Sequence, residues 1–434
     1  MAHATARSGY EALTERLNRF PQGAPPSALL FRILALLFSE REAALVARLP
    51  IRPVTARRAA SVWGMREAEA RSVLDGLASR AILIDVEGPR GTVYALPPPM
   101  AGFFEFSMMR VRDDVDQRVL AELFYQYITV EDAFITALFT DGETQLGRVF
   151  VNEPALADAR AKGHTGDDTM RVLDYERASE VIDTAQHMGV GLCYCRHKAE
   201  HVGRACKAPR DICMTFGGTA DSLIRHGYAR RVDRAEGRDL LAEAYEHRLV
   251  QFGENVQRDV AFICNCCGCC CEAMIAQRRF GRLNPVHTTN YLPAIDASLC
   301  NGCGKCMDAC PVEAMTLVSA NDPAKARKRR AELDASICLG CGVCTRVCPT
   351  DAMHLEPRGE RVVTPVDTLH RTVLMAIERG RLADCIFDNR ALASHRAMAA
   401  ILGVILRLPP TKQVLAMQQV RSKYLVKILE RVQV

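Results

Sequence analysis

The chain has 434 residues, 25% charged and 49% hydrophobic, with a formal net charge of +5. Such a composition belongs to a globular protein with room for two to four buried cores, and its charge is too mild to argue for nucleic acid as a partner. The anomaly is nineteen cysteines.

Secreted disulfides would need an export segment, and the start MAHATARSGYEALTERLNRF has no apolar core of the required length. Adjacent Cys-Cys and Cys-x-Cys pairs are also poorly placed for bridges, whereas thiolates crowded around a metal suit that spacing. A reducing, cytoplasmic compartment is therefore expected. The longest apolar run, 397–406, is too short to span a membrane.

The reading is of an α+β, multidomain chain. A winged-helix-like domain is expected in 1–100 and a helical cysteine-rich domain in 101–290. A βαββαβ module is expected in 291–360, followed by a basic helical tail in 361–434. In the first domain, Ser27 can cap a helix carrying Leu29, Leu30, Ile33, Leu34 and Leu37 on one face. Further helices are expected at 42–49 and 65–79, then a hairpin of 81–86 and 92–96 as the wing. DNA binding is the functional reading of such a unit. Its third helix sets Arg66, Arg71 and Arg80 against Glu67, Glu69 and Asp75, a neutral balance that favours protein docking or a structural role.

Residues 101–175 are poorly informative. A helix opening at Asp174 or Tyr175 carries Ala178, Val181, Ile182 and Ala185 toward the first cysteines, and helices are expected at 219–225 and 238–249. Cys193, Cys195, Cys206 and Cys213 form C-x-C-R-x9-C-x6-C, enough thiolates for one [4Fe–4S] cluster; a zinc knuckle is the alternative. Cys264, Cys266, Cys267, Cys269, Cys270 and Cys271 follow within eight positions. Adjacent residues point in different directions on a helix or strand, so packing does not explain the string and a further metal centre does, its ligand subset left open.

Next comes a repeat. IDASLCNGCGKCMDACPVEAM returns as LDASICLGCGVCTRVCPTDAM, so Cys300, Cys303, Cys306 and Cys310 match Cys338, Cys341, Cys344 and Cys348. In C-x2-C-x2-C-x3-C-P three thiolates wrap one cluster and the fourth reaches the other. One cluster is thus assigned to Cys300, Cys303, Cys306 and Cys348, the second to Cys338, Cys341, Cys344 and Cys310. The run 325–330 (KARKRR) is expected as a solvated loop between the halves, and Cys385 as a buried small apolar residue. The tail over 407–434 interleaves basic and apolar residues, which suits a membrane surface or an acidic partner, with a helix covering the repeat as the alternative; peripheral membrane contact is expected through 397–434.

The repeat resembles the bacterial two-[4Fe–4S] ferredoxins. Cys266-Cys267-Gly268 is similar to the CCG motif of heterodisulfide reductases, over three residues. The wider arrangement resembles a family of anaerobic 4Fe–4S dicluster-domain proteins, through 193–216, 262–272 and 296–353 together with GFFEF at 102–106 and Asn255-Val256-Gln257. That resemblance implies ferredoxin-like electron transfer with no defined substrate. The leading expectation is an iron–sulfur electron-transfer protein or subunit, relaying single electrons between a low-potential donor and a larger oxidoreductase. A redox-sensing winged-helix regulator and a reductase with its centre at 264–271 are the alternatives.

Overall fold

In the computed structural model, residues 8–89, 91–161, 173–321 and 329–387 are described. Their contacts divide the chain into two units. One holds the residues up to Thr144, Asp221–Ala229 and those from Leu369 onward; the other holds 145–220 and 230–368.

In the first unit, Ser27 accepts from the Leu30 N–H and opens a helix, Ala28–Leu37, that buries Leu30, Ile33, Leu34 and Leu37. A capping box at Ser39 opens the next helix, Glu40–Val46. The helix Ala56–Trp63 was not expected, although its signals are local: Thr55 caps it, and Gly64 ends it at φ 72°. The helix Glu67–Ser79 follows. Strands β1 (Val54–Thr55), β2 (Ile84–Gly88) and β3 (Gly91–Ala95) form an antiparallel sheet in the order β1-β3-β2, with the expected hairpin shifted slightly in its bounds.

Two sequence features find their places here. Phe103 and Phe104 of GFFEF are fully buried, with ring centroids 4.8 Å apart, and Phe104 lies 5.0 Å from Phe124. On the hairpin, Asp85 accepts from Ser222 (2.5 Å), Arg225 (2.7 Å) and His226 (3.1 Å). Burial opposes its ionisation, but these hydrogen bonds outweigh burial and hold the carboxyl below its usual range. Beside them, Ile84, Leu223 and Tyr228 share one apolar cluster. The helices Thr368–Glu378 and Leu382–Ile386 close this unit. Cys385 packs against Val373, Ala376, Ile377 and Leu382, and burial pushes its thiol up to about 12. The tail segment 397–434 lies outside the described residues.

The second unit corrects the expectation of a helical cysteine-rich region. Its framework is a six-stranded sheet of β4 (Gly147–Val149), β5 (Met188–Gly191), β6 (Cys213–Phe216), β7 (Arg230–Arg231), β8 (Val250–Glu254) and β9 (Phe262–Cys266). The order is β4-β8-β9-β6-β5-β7, every neighbour antiparallel. The strands were missed for a physical reason. Every residue of β4, β5, β6 and β8 is buried, so no alternation of apolar and polar residues marks them. The helices Ala178–Thr184 and Arg234–Glu246 supply Ile182, Leu241 and Tyr245 to a core shared with Met188, Val190, Met214 and Ile263. The first is preceded by a 3-10 turn, Asp174–Glu176, rather than continuing it, and the second stops short of Leu249, where the chain enters β8.

The repeat forms β10 (Tyr291–Ile295), a helix Lys305–Ala309, β11 (Met315–Ser319), β12 (Arg329–Leu333), a helix Val343–Arg346 and β13 (Met353–Pro357). β10 pairs with β13 and β11 with β12, both antiparallel, so each half completes the other. Asp296 N–H donates to Ala352 O and Asp334 N–H to Ala314 O, the same bond made twice across the two halves. Arg329 and Arg330 begin β12 instead of lying in the expected loop; 322–328 fall outside the described residues. No described helix is long and apolar enough to cross a membrane.

Candidate metal centre

The two cysteine loops of the repeat turn through glycines at positive φ: Gly302 (64°) and Gly304 (84°), then Gly340 (67°) and Gly342 (75°). An L side chain is disfavoured in that region, and a Cβ on Gly302 or Gly340 would collide with the carbonyl of Arg329 or Tyr291. The loops can thus press against the strand of the opposite half.

Two cavities result. One is lined by Cys300, Cys303, Cys306 and Cys348. The other is lined by Cys310, Cys338, Cys341 and Cys344. In each, three cysteines come from one loop and the fourth from the other half. Backbone amides already point at sulfur: Ala331 N–H to Cys300 Sγ (3.4 Å), Ala314 N–H to Cys310 Sγ (3.2 Å) and Gly340 N–H to Cys338 Sγ (3.4 Å). Burial pushes the Cys338 thiol up to about 11 and raises Cys341 and Cys344 as well. Four soft sulfur donors around each cavity, with amides aimed at the thiolates, fit a [4Fe–4S] cluster.

The ten upstream cysteines are sorted differently from their order in the chain. Cys206 does not join Cys193, Cys195 and Cys213 as its segment suggested. Its Sγ lies 3.7 Å from that of Cys267, and the sulfurs of Cys206, Cys267, Cys269 and Cys270 all fall within 4.8 Å of one another. The remaining six form a chain of neighbouring thiols. Cys213 joins Cys264 to Cys193, Cys195 joins Cys193 to Cys271, and Cys271 Sγ is 3.1 Å from Cys266 Sγ.

Local structure explains the sorting. Cys264 and Cys266 are two apart on β9 and share one face; Asn265 between them turns the other way, bonding Ile212 O and Gln251. Cys267, Cys269 and Cys270 lie beyond the strand end, and Cys271 returns inward as the cap residue of the helix Glu272–Phe280. Cys193 caps the helix Tyr194–His201, and Cys213 opens β6. Sequence reasoning could have found this signal in the alternation of Ile-Cys-Asn-Cys.

Two buried cations from the helix Tyr194–His201 accompany these thiols. Arg196 is 1% exposed, donating to Pro209 O (2.9 Å) and Asn265 O (2.7 Å). Its Nε is buried with no hydrogen-bond partner among the described residues. Lys198, also buried, pairs with buried Glu272, and burial pushes its ammonium down to about 8 against the pull of Cys195, Cys270 and Cys271. A hydrogen bond from Cys270, aided by the Arg196 guanidinium, brings the Cys267 thiol down to about 4.

An open cleft lined by Cys206, Lys207, Cys267, Cys269, Arg248 and Cys310 runs from the four-sulfur group to the repeat. At its base Gly268 rests on Pro311: a Cβ there would lie 2.6 Å from Pro311 O. The residue after Cys267 therefore touches the residue after Cys310.

Residues 299–352 match the family described as the 4Fe-4S dicluster domain, and this part of the chain is a ferredoxin-like dicluster module. Comparison with curated proteins and with solved structures finds no match.

Proposed function

We propose that the chain is an iron–sulfur electron-transfer protein, passing single electrons between a low-potential donor protein and a larger acceptor oxidoreductase. The observation that carries this reading is the pair of four-cysteine cavities inside the matched dicluster module, each built three-plus-one from both halves. Cys300, Cys303, Cys306 and Cys348 would hold one cluster; Cys338, Cys341, Cys344 and Cys310 would hold the other. When bound, such clusters store and release one electron each. The chain's own residues fix the thiolates, donate amides to sulfur and line the cavities with apolar groups such as Met315, Leu333 and Met353. The contact of Gly268 with Pro311 brings the upstream thiols next to the module.

The helices and hairpin of 27–96 follow the order of a winged helix, and we read that unit as a docking or structural module. On the helix Glu67–Ser79, Arg71 pairs with Glu67, and Arg80 at its end pairs with Glu42, so these two cations are already engaged by carboxylates. A cytoplasmic setting with peripheral membrane contact through 397–434 completes the proposal.

Oxygen-free purification with iron and sulfide determination tests it. The module alone calls for about eight irons and two interacting paramagnetic signals on reduction. A colourless protein, or zinc in the module, ends the reading.

A further inference from the structure

We propose that the ten upstream cysteines hold two separate iron–thiolate centres whose ligands cross between the two sequence segments. An outer centre sits on Cys206, Cys267, Cys269 and Cys270, and an inner one on the set Cys193, Cys195, Cys213, Cys264, Cys266 and Cys271. The proposal rests on the iron–sulfur reading of the chain and deepens it by naming sites that the dicluster match, confined to 299–352, does not reach.

Three observations carry it. The outer sulfurs are within 4.8 Å of one another, the spacing of four thiolates about a single metal ion at about 2.3 Å each, and they come from two segments about sixty residues apart. Cys193, Cys195, Cys213 and Cys264 share one packed cluster, which Cys267 also touches, and Cys271 Sγ is 3.1 Å from Cys266 Sγ. Between the sets, Arg196 is buried next to Cys193, Cys213 and Cys266 of the inner set and Cys267 of the outer one. A dehydrated guanidinium with an orphaned Nε is costly unless an anion faces it. Neutral thiols are poor acceptors and leave that charge uncompensated. Thiolates carrying an iron centre, their protons released to solvent on binding, supply the negative charge and the acceptor atoms together.

The two centres differ in access. Cys269 is exposed and, with Cys206 and Cys267, lines the open cleft beside Pro311. In the inner set Cys193, Cys213, Cys266 and Cys271 are buried. The outer centre is thus the one adjoining the module, and the inner one lies behind it. Six thiols exceed the four that a cubane requires, so the inner set has a surplus of two.

Alanine variants of the full chain, loaded anaerobically and assayed for iron and by paramagnetic resonance, test the partition. Cys206→Ala and Cys270→Ala are expected to lose the same signal and the same quota of iron, with the double variant losing no more. Cys213→Ala and Cys264→Ala are expected to share the loss of a different signal, with the module's signals intact throughout. If Cys206→Ala and Cys213→Ala abolish one and the same signal, the crossed assignment is overturned. If the wild type carries only the module's eight or so irons, or zinc upstream, the proposal falls while the electron-transfer reading stands.

Should the variants misfold, alkylation of the wild-type protein during slow chelation gives the same answer. Cys206 is expected to become reactive in step with Cys269, ahead of the inner six. Labelling of Cys206 in step with Cys193 and Cys213 overturns the proposal.

Discussion

At Gly304, in the first half of the repeat, a Cβ would make an ordinary contact with Leu317 Cδ1 at 3.4 Å. At Gly342, the equivalent position 38 residues on, it would meet Asn152 Cβ at 2.9 Å, Leu355 Cδ1 at 3.1 Å and Ala155 Cβ at 3.3 Å. The contrast extends along the loop. Thr289 donates its hydroxyl to Gly340 O (2.9 Å) and its N–H to Leu339 O, and Arg358 bridges Thr289 O and Cys338 O at 2.8 Å each. Position 320, the partner of Arg358 in the first half, is an alanine. Two loops with one cysteine pattern therefore sit in different surroundings: the second is wrapped by the segment before β10 and by residues near Asn152. The ligand pattern sets which metal centre forms; the wrapping sets how firmly it is held and at what potential.

Acid should separate the halves most strongly. His287 anchors the wrapping segment: its N–H donates to Gly147 O, its carbonyl accepts from Val149 N–H, and its ring meets Gln145 Oε1 at 3.1 Å. Burial, with Arg148 close by, pushes the imidazole down to about 4 from 6.5. Above pH 6.5 the ring is neutral in folded and unfolded chains alike and costs nothing. Between 6.5 and about 4 the unfolded chain takes up a proton that the folded one refuses, so stability falls as pH falls, by on the order of 3 kcal/mol at the low end. Iron held by the Cys338 loop should then pass to a chelator ahead of iron held by the Cys300 loop, and His287→Gln should narrow the gap. Parallel release from both halves, unchanged in the variant, would break the comparison.

Legibility follows the same line. The module's cysteine sets were readable because ligand spacing is local: three thiolates and two left-handed glycines fit within seven residues. The 38-residue offset also carried the element order, since each strand and helix of one half recurs in the other. The wrapping was not readable. Thr289, His287 and Asn152 are ordinary polar residues whose role depends on partners up to 190 positions away, and no periodicity marks them. In the sheet, β5 (MGVG) and β6 (CMTF) are buried on both faces and too short to show a pattern. Upstream, the Cys206 sulfur lies with those of Cys267, Cys269 and Cys270, which follow the end of β9, and spacing along the chain does not mark that proximity.

A smaller effect sharpens the comparison within the loops themselves. Gly304→Ala and Gly342→Ala both place a side chain at positive φ, a cost of about 1 kcal/mol. Only the second also overpacks against Asn152 and Ala155, which adds roughly 1–2 kcal/mol. Urea titrations followed by the colour of the bound iron should therefore show Gly342→Ala the more damaging of the two. Equal losses would mean that the neighbouring chain yields and that the wrap is soft.

The gentlest expected effect is electrostatic. Arg358 donates to the carbonyl of Cys338, and its positive charge lies beside the second set while the first has Ala320 in that place. A cation stabilises the more negative, reduced state of a centre close to it. Replacing Arg358 by glutamine keeps a donor for the two carbonyls and removes the charge, so the potential of the second set should fall by on the order of 50 mV. Ala320→Arg should move the first set upward by less, because that half is less enclosed and its field is better screened. Redox titration followed by paramagnetic resonance separates the two shifts. A fall shared equally by both sets would show that the charge acts through the whole module and that the wrapping is electrostatically neutral.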